Sequence, residues 1–122
     1  MSAGRTFDVI SVDDIEPAGP GRAVRFIRRE LGLEAFGLNR FDIPAGTAGH
    51  EHDERESGQE EVVVIVAGSG IYRVDGDEVA VGEGSVLRFD PHARRQPVAG
   101  PDGLAFIAIG APRGAYEPHG PF

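Results

Sequence analysis

The sequence contains no cysteine, no lysine and no tryptophan, and a single methionine. Without cysteine there is no disulfide, no thiol nucleophile and no thiolate to hold an iron–sulfur cluster, and without lysine there is no Schiff-base chemistry. All 12 basic residues are arginine, a codon preference that says nothing about substrate. Positive charge is in short supply overall: the formal net charge is −8, which opposes nucleic-acid and anionic-membrane binding because both partners attract basic surfaces. Long apolar runs are missing too. None exceeds the six residues of Val62–Ala67, against the roughly 20 that a membrane-spanning helix needs. The start, Met1–Ile10, lacks the apolar centre of a secretory leader. A soluble, cytoplasmic protein is therefore expected, although the lack of cysteine suits any compartment.

What is present points to one domain spanning residues 1–122: 40% hydrophobic and 26% charged residues, with 18 glycines and 9 prolines, suit a loop-rich globular chain. Turn residues recur between short apolar stretches, and the pattern is all-β. An N-terminal strand and loop (1–34) precede a core of about 35–110, and a Pro/Gly-rich tail without periodicity (111–122) follows. Phe7–Val12 alternates as a strand and stops at the turn-rich Glu16–Gly21. Ala23–Ile27 is a short strand candidate, and Arg28–Leu33 has room for one helical turn closed by Gly32. Phe36 and Leu38, then Phe41 and Ile43, form two period-2 pairs out of phase, which predicts a bulge near Asn39-Arg40. Glu61–Ala67 is β-branched and apolar on both faces. Gly68-Ser69-Gly70 then predicts a hairpin into Ile71–Val74. Turns at Asp75-Gly76-Asp77 and Gly82-Glu83-Gly84 lead into Val79–Val81 and Val86–Phe89, and a last strand, Leu104–Ile109, follows a loop at Pro97–Gly103.

The chemistry concentrates at His50-Glu51-His52 and the Glu60-Glu61 pair at the start of the buried strand. Strand side chains alternate, so His50 and His52 share a face, and a carboxylate from the next strand would complete a two-imidazole, one-carboxylate set. Such a set suits Fe(II), Mn(II), Ni(II) or Zn(II) and leaves positions open for water or substrate. The plain alternative is a pair of solvated histidines, since Glu51, Asp53, Glu54, Glu56, Glu60 and Glu61 place six acids in twelve residues.

Pro44-Ala45-Gly46, His50-x-His52 and Glu61 with six residues to Gly68 together resemble the first signature of the cupin superfamily, and the segment from Gly84 through Pro91 to Gln96 resembles the second. The resemblance spans about 35–110 and implies a double-stranded β-helix, a jelly-roll barrel of two antiparallel sheets. It also implies a divalent metal on His50, His52 and Glu61. The departures are specific. Pro44 stands at the signature's glycine, and eight residues separate His52 from Glu61, where the signature has three or four. Arg95 falls at the third metal histidine, or Gln96 after a one-residue slip, while His92 stands at a glycine position. A guanidinium repels a metal and a carboxamide oxygen is a weak ligand.

Two readings of the pocket follow. In one, His50, His52 and Glu61 bind a divalent metal with Gln59 or Gln96 nearby, as in oxygenation or isomerisation of a small oxygen-rich substrate. In the other, the site is metal-free and Arg95 points into the barrel, paired with Glu61 or gripping an acidic metabolite. Tyr72 and Phe89 are candidate cavity walls, with core packing the alternative. His119 reads as a surface residue, and one of Arg94 and Arg95 must face outward. A homodimer is expected, with Phe36–Ile43 and Leu104–Ile109 supplying the interface.

Overall fold

The computed structural model describes residues 6–121, so the first residues of the segment read for a leader and both outer limits of the expected domain lie outside the described residues. Six strands are described: β1 (Val24–Arg25), β2 (Gly37–Ile43), β3 (Gln59–Val74), β4 (Asp77–Gly82), β5 (Val86–Phe89) and β6 (Arg95–Pro112). One helix, α1 (Ile27–Leu31), fills the space between β1 and β2. It ends where expected, because Gly32 takes a left-handed φ of 65° that other residues adopt at a cost.

All pairings are antiparallel, in the order β1-β2-β6-β3-β4 with β5 also on β3. β3 and β6 run side by side along most of their length, and each bends midway. The first half of β3 pairs with β5 and with the C-terminal half of β6, on which β2 also lies. The second half of β3 pairs with β4 and with Arg95–Ala99. The sheet thereby folds into two facing layers, the double-stranded β-helix expected from the sequence. Its core is built from Ile43, Val63, Ile65, Tyr72, Val81, Phe89, Leu104 and Phe106.

The bend explains why Gly68-Ser69-Gly70 is not a hairpin. β3 continues through it with register shifts. A Cβ on Gly68 would lie 2.0 Å from the Gly103 carbonyl oxygen, and one on Gly70 would lie 2.1 Å from that of Val98. Glycine is used here because the two strands cross within backbone contact. The supposed loop Pro97–Gly103 is the matching corner of β6.

Three further expectations are corrected. Phe7–Val12 joins no strand, and Val12–Asp14 is a turn of 3₁₀ helix. Alternation reports an extended chain, not a partner for it. Ala23–Ile27 is strand only at Val24–Arg25, since Ile27 opens α1. No bulge interrupts β2, which pairs with β6 in unbroken register from Gly37 with Gly110 to Ile43 with Leu104. The phase slip arises because Phe36 lies before the strand and Leu38 faces outward beside Ile109, whereas Phe41 and Ile43 face the core.

Candidate functional site

The segment 47–52 lies along the free edge of the N-terminal half of β6. Its backbone is tied there by Ala99 N–H to Thr47 O (2.8 Å), Gly49 N–H to Pro97 O (2.8 Å), and a reciprocal pair between His52 and Arg95 (3.0 and 2.9 Å). Extended backbone puts His50 and His52 on one face, as the spacing predicts. Their rings are nearly parallel, with centroids 6.0 Å apart. Glu61 reaches toward them from the opposite layer.

Between the layers is a cavity of about 220 Å³. His50, His52, Glu61 and Tyr72 supply its polar atoms, and Phe41, Ile43, Pro97, Phe106 and Ala108 the rest of its wall. Phe41 stacks on Phe106 at 5.0 Å, and Tyr72 meets Phe106 edge-on at 5.9 Å. Burial pushes the Tyr72 phenol well above its ordinary value; the Glu61 charge reinforces this and Arg95 opposes it. Tyr72 is therefore both wall and neutral hydroxyl.

Arg95 points into the barrel interior, as the second reading has it. Its side chain is 0% exposed, and Nη2 donates to Glu61 Oε1 at 3.0 Å. Nη1 donates to the Ala93 carbonyl at 2.8 Å, and the guanidinium lies 5.0 Å from the Phe89 ring centroid. Burial of this cation is offset by the carboxylate, the carbonyl and the ring face together. Arg95 sits behind Glu61, however, and does not line the cavity. An acidic metabolite at Arg95 would have to displace Glu61.

The other expected residues separate. Phe89 is 3% exposed and forms the floor beneath Arg95, so it is core and not cavity wall. Gln96 donates from Nε2 to the Gly49 carbonyl at 3.0 Å, on the opposite side of β6 from Arg95 and Pro97; strand alternation removes it from the ligand set. Gln59 begins β3 opposite Pro112, its carboxamide over Gly110, outside the cavity wall. Arg94 faces outward and donates to Glu51 at 2.8 Å. His92 is exposed beside Asp90, and His119 is exposed in the tail.

Glu54 escaped the sequence reading. Its Oε2 lies 3.5 Å from His52 Nε2, while its Oε1 accepts from the Ser57 hydroxyl at 2.7 Å. The signal was the same two-residue spacing that joins His50 to His52, continued one step further.

These side chains do not fit a divalent metal as they are arranged. Among the described residues, no group of three His, Asp or Glu side chains is placed to hold one. The Glu61 oxygen nearest His52, 4.0 Å from Nε2, is the oxygen that accepts from Arg95. A second cation on that oxygen would face the guanidinium at short range in a poorly screened interior.

Residues 39–109 match the Cupin domain family. No curated protein matches the chain. Among solved structures, a cupin protein from Bacteroides fragilis is 24% identical with a TM-score of 0.80, over 94% of this chain and 92% of that one. A protein from Thermotoga maritima described as a predicted oxalate decarboxylase is 18% identical (TM-score 0.72; 84% and 97% covered). A sugar phosphate isomerase from Silicibacter pomeroyi is 22% identical (TM-score 0.64; 72% and 57% covered).

Proposed function

The chain belongs to the cupin family, and we propose that its interior cavity is a metal-independent binding site for a small uncharged molecule. The observation that carries this reading is the Arg95–Glu61 pair, which places a fixed guanidinium on the carboxylate that a metal would need. The ligand class follows from the wall. A dry apolar cavity of about 150 Å³ accepts benzene, so about 220 Å³ suits a single ring with one or two substituents. His50, His52 and the Tyr72 hydroxyl offer hydrogen bonds at one side, and no arginine lines the cavity. Oxalate and sugar phosphates, named for two of the structural neighbours, are anions that would enter without a partner charge and beside Glu61. The test is a screen of uncharged monocyclic compounds by thermal shift. Stabilisation that His52→Ala reduces and a chelator leaves intact supports the reading; stabilisation by anions alone contradicts it.

A second reading keeps the metal, on the observation that His50, His52 and Glu61 line one cavity. It requires Glu61 to leave Arg95. His50 and His52 would then hold the ion, and oxygenation or isomerisation would be its chemistry; metal analysis separates the two readings.

The assembly we propose is a homodimer through the outer face of β2, β6 and β3. Leu38, Val62, Val64, Ile107 and Ile109 lie there in register and half-buried, an apolar strip on a chain of net charge −8.

A further inference from the structure

A second cavity of about 490 Å³ lies beside the inner one and has Phe41, Ile43 and His50 in common with it as lining residues. Its far wall is the segment Pro20–Val24, and Ala48 stands at its side. This wall lies outside the family match at 39–109. It is also held in place. Ala18 and Val24 exchange backbone hydrogen bonds of 2.8 and 3.1 Å, Asp42 N–H donates to Ala23 O at 2.9 Å, and Arg25 pairs with Asp42 at 3.0 Å. A wall ordered in advance loses little freedom when a ligand settles on it.

The two compartments differ in chemistry. The inner one has the polar atoms of His50, His52, Glu61 and Tyr72. In the outer one the lining side chains besides His50 are apolar except Thr47, whose hydroxyl already donates to Pro44 O at 2.7 Å. We infer that the ligand has two parts, a ring-sized head with a hydroxyl or carbonyl in the inner cavity and an apolar tail lying along Pro20–Val24. The inference rests on the small-molecule reading above and adds the tail, making the N-terminal segment the part of the site that selects for length.

The experiment is calorimetric titration of the full chain with phenol, 4-propylphenol and 4-hexylphenol. Two variants fill the outer compartment from exposed positions, Ala48→Phe and Thr47→Phe. Each fully buried methylene strengthens binding by about fourfold, and partial burial of the hexyl chain should give at least about a tenfold gain of 4-hexylphenol over phenol. Both variants should bind phenol as the parent does and lose that gain. A 4-hexylphenol that binds no tighter than phenol, or a gain that survives both substitutions, overturns the two-part ligand and leaves the inner-site reading standing. Failure of all three phenols to bind the parent chain overturns both.

Discussion

Arg95 and His52 are joined through their backbones by two hydrogen bonds, 3.0 and 2.9 Å long, while the Arg95 guanidinium holds Glu61 at 3.0 Å. One residue thus fixes the histidine strand against β6 and fills, with a permanent cation, the position of the missing third histidine. The guanidinium orients and neutralises the carboxylate.

The pair should behave as a buried ion pair. Arg95→Met strands the Glu61 carboxylate and should cost about 3–5 kcal/mol, whereas the double variant with Glu61→Gln should recover much of that loss. Urea unfolding of the parent, both single variants and the double variant measures it. Additive losses would show that the two side chains do not act together.

Tyr72 should control stability in alkali. With no lysine and no cysteine, the side chains titrating between about pH 9 and 11.5 are the two tyrosines. Tyr72 is raised in the folded state by burial, and Tyr116 is exposed. Above an ordinary phenol value near 10 the unfolded chain releases the Tyr72 proton while the folded chain keeps it, so stability is full below that pH and falls by about 1.4 kcal/mol per unit above it. In a Tyr116→Phe variant, tyrosinate absorbance should rise only on unfolding. A phenol that ionises in the folded variant would contradict the burial of Tyr72.

Gly70→Ala should be among the most damaging single substitutions. Its Cβ would lie 2.1 Å from the Val98 carbonyl oxygen, backbone that can yield only by breaking the β3–β6 register. A loss of more than about 3 kcal/mol is expected, against under about 1 kcal/mol for Gly82→Ala, where an added Cβ meets nothing within 4 Å. Equal effects in thermal unfolding would argue against the crossing.

The proposed dimer places Val64 and Ile107, paired in register, at the middle of its interface. Sedimentation equilibrium should give twice the chain mass, and Val64→Glu should halve it without abolishing the fold. A monomeric parent chain would remove the proposal.

The barrel was legible because its turns are written in glycine and its strands in β-branched runs, and the His50–His52 pair because strand alternation puts both on one face; Glu61 was singled out by its place in the resemblance to the first signature. The crossing at Gly68 and Gly70 was not. A glycine that ends a strand and one that lets a strand bend look alike until the facing backbone is known. Gln96 misled for a related reason: the spacing of the second signature allowed either of two neighbours, and only the strand's alternation decides that Arg95 faces inward. The outer compartment lay beyond reach, since nothing in Pro20–Val24 announces that it returns to the mouth of the barrel.

The central claim is that Arg95 replaces a metal, and metal content by elemental analysis after incubation with iron, manganese, nickel and zinc tests it most directly, on the parent chain, His52→Ala and Arg95→His. The account predicts little metal in the parent, no change in His52→Ala, and a gain when Arg95→His supplies the third imidazole. Near one equivalent in the parent that His52→Ala loses would contradict it.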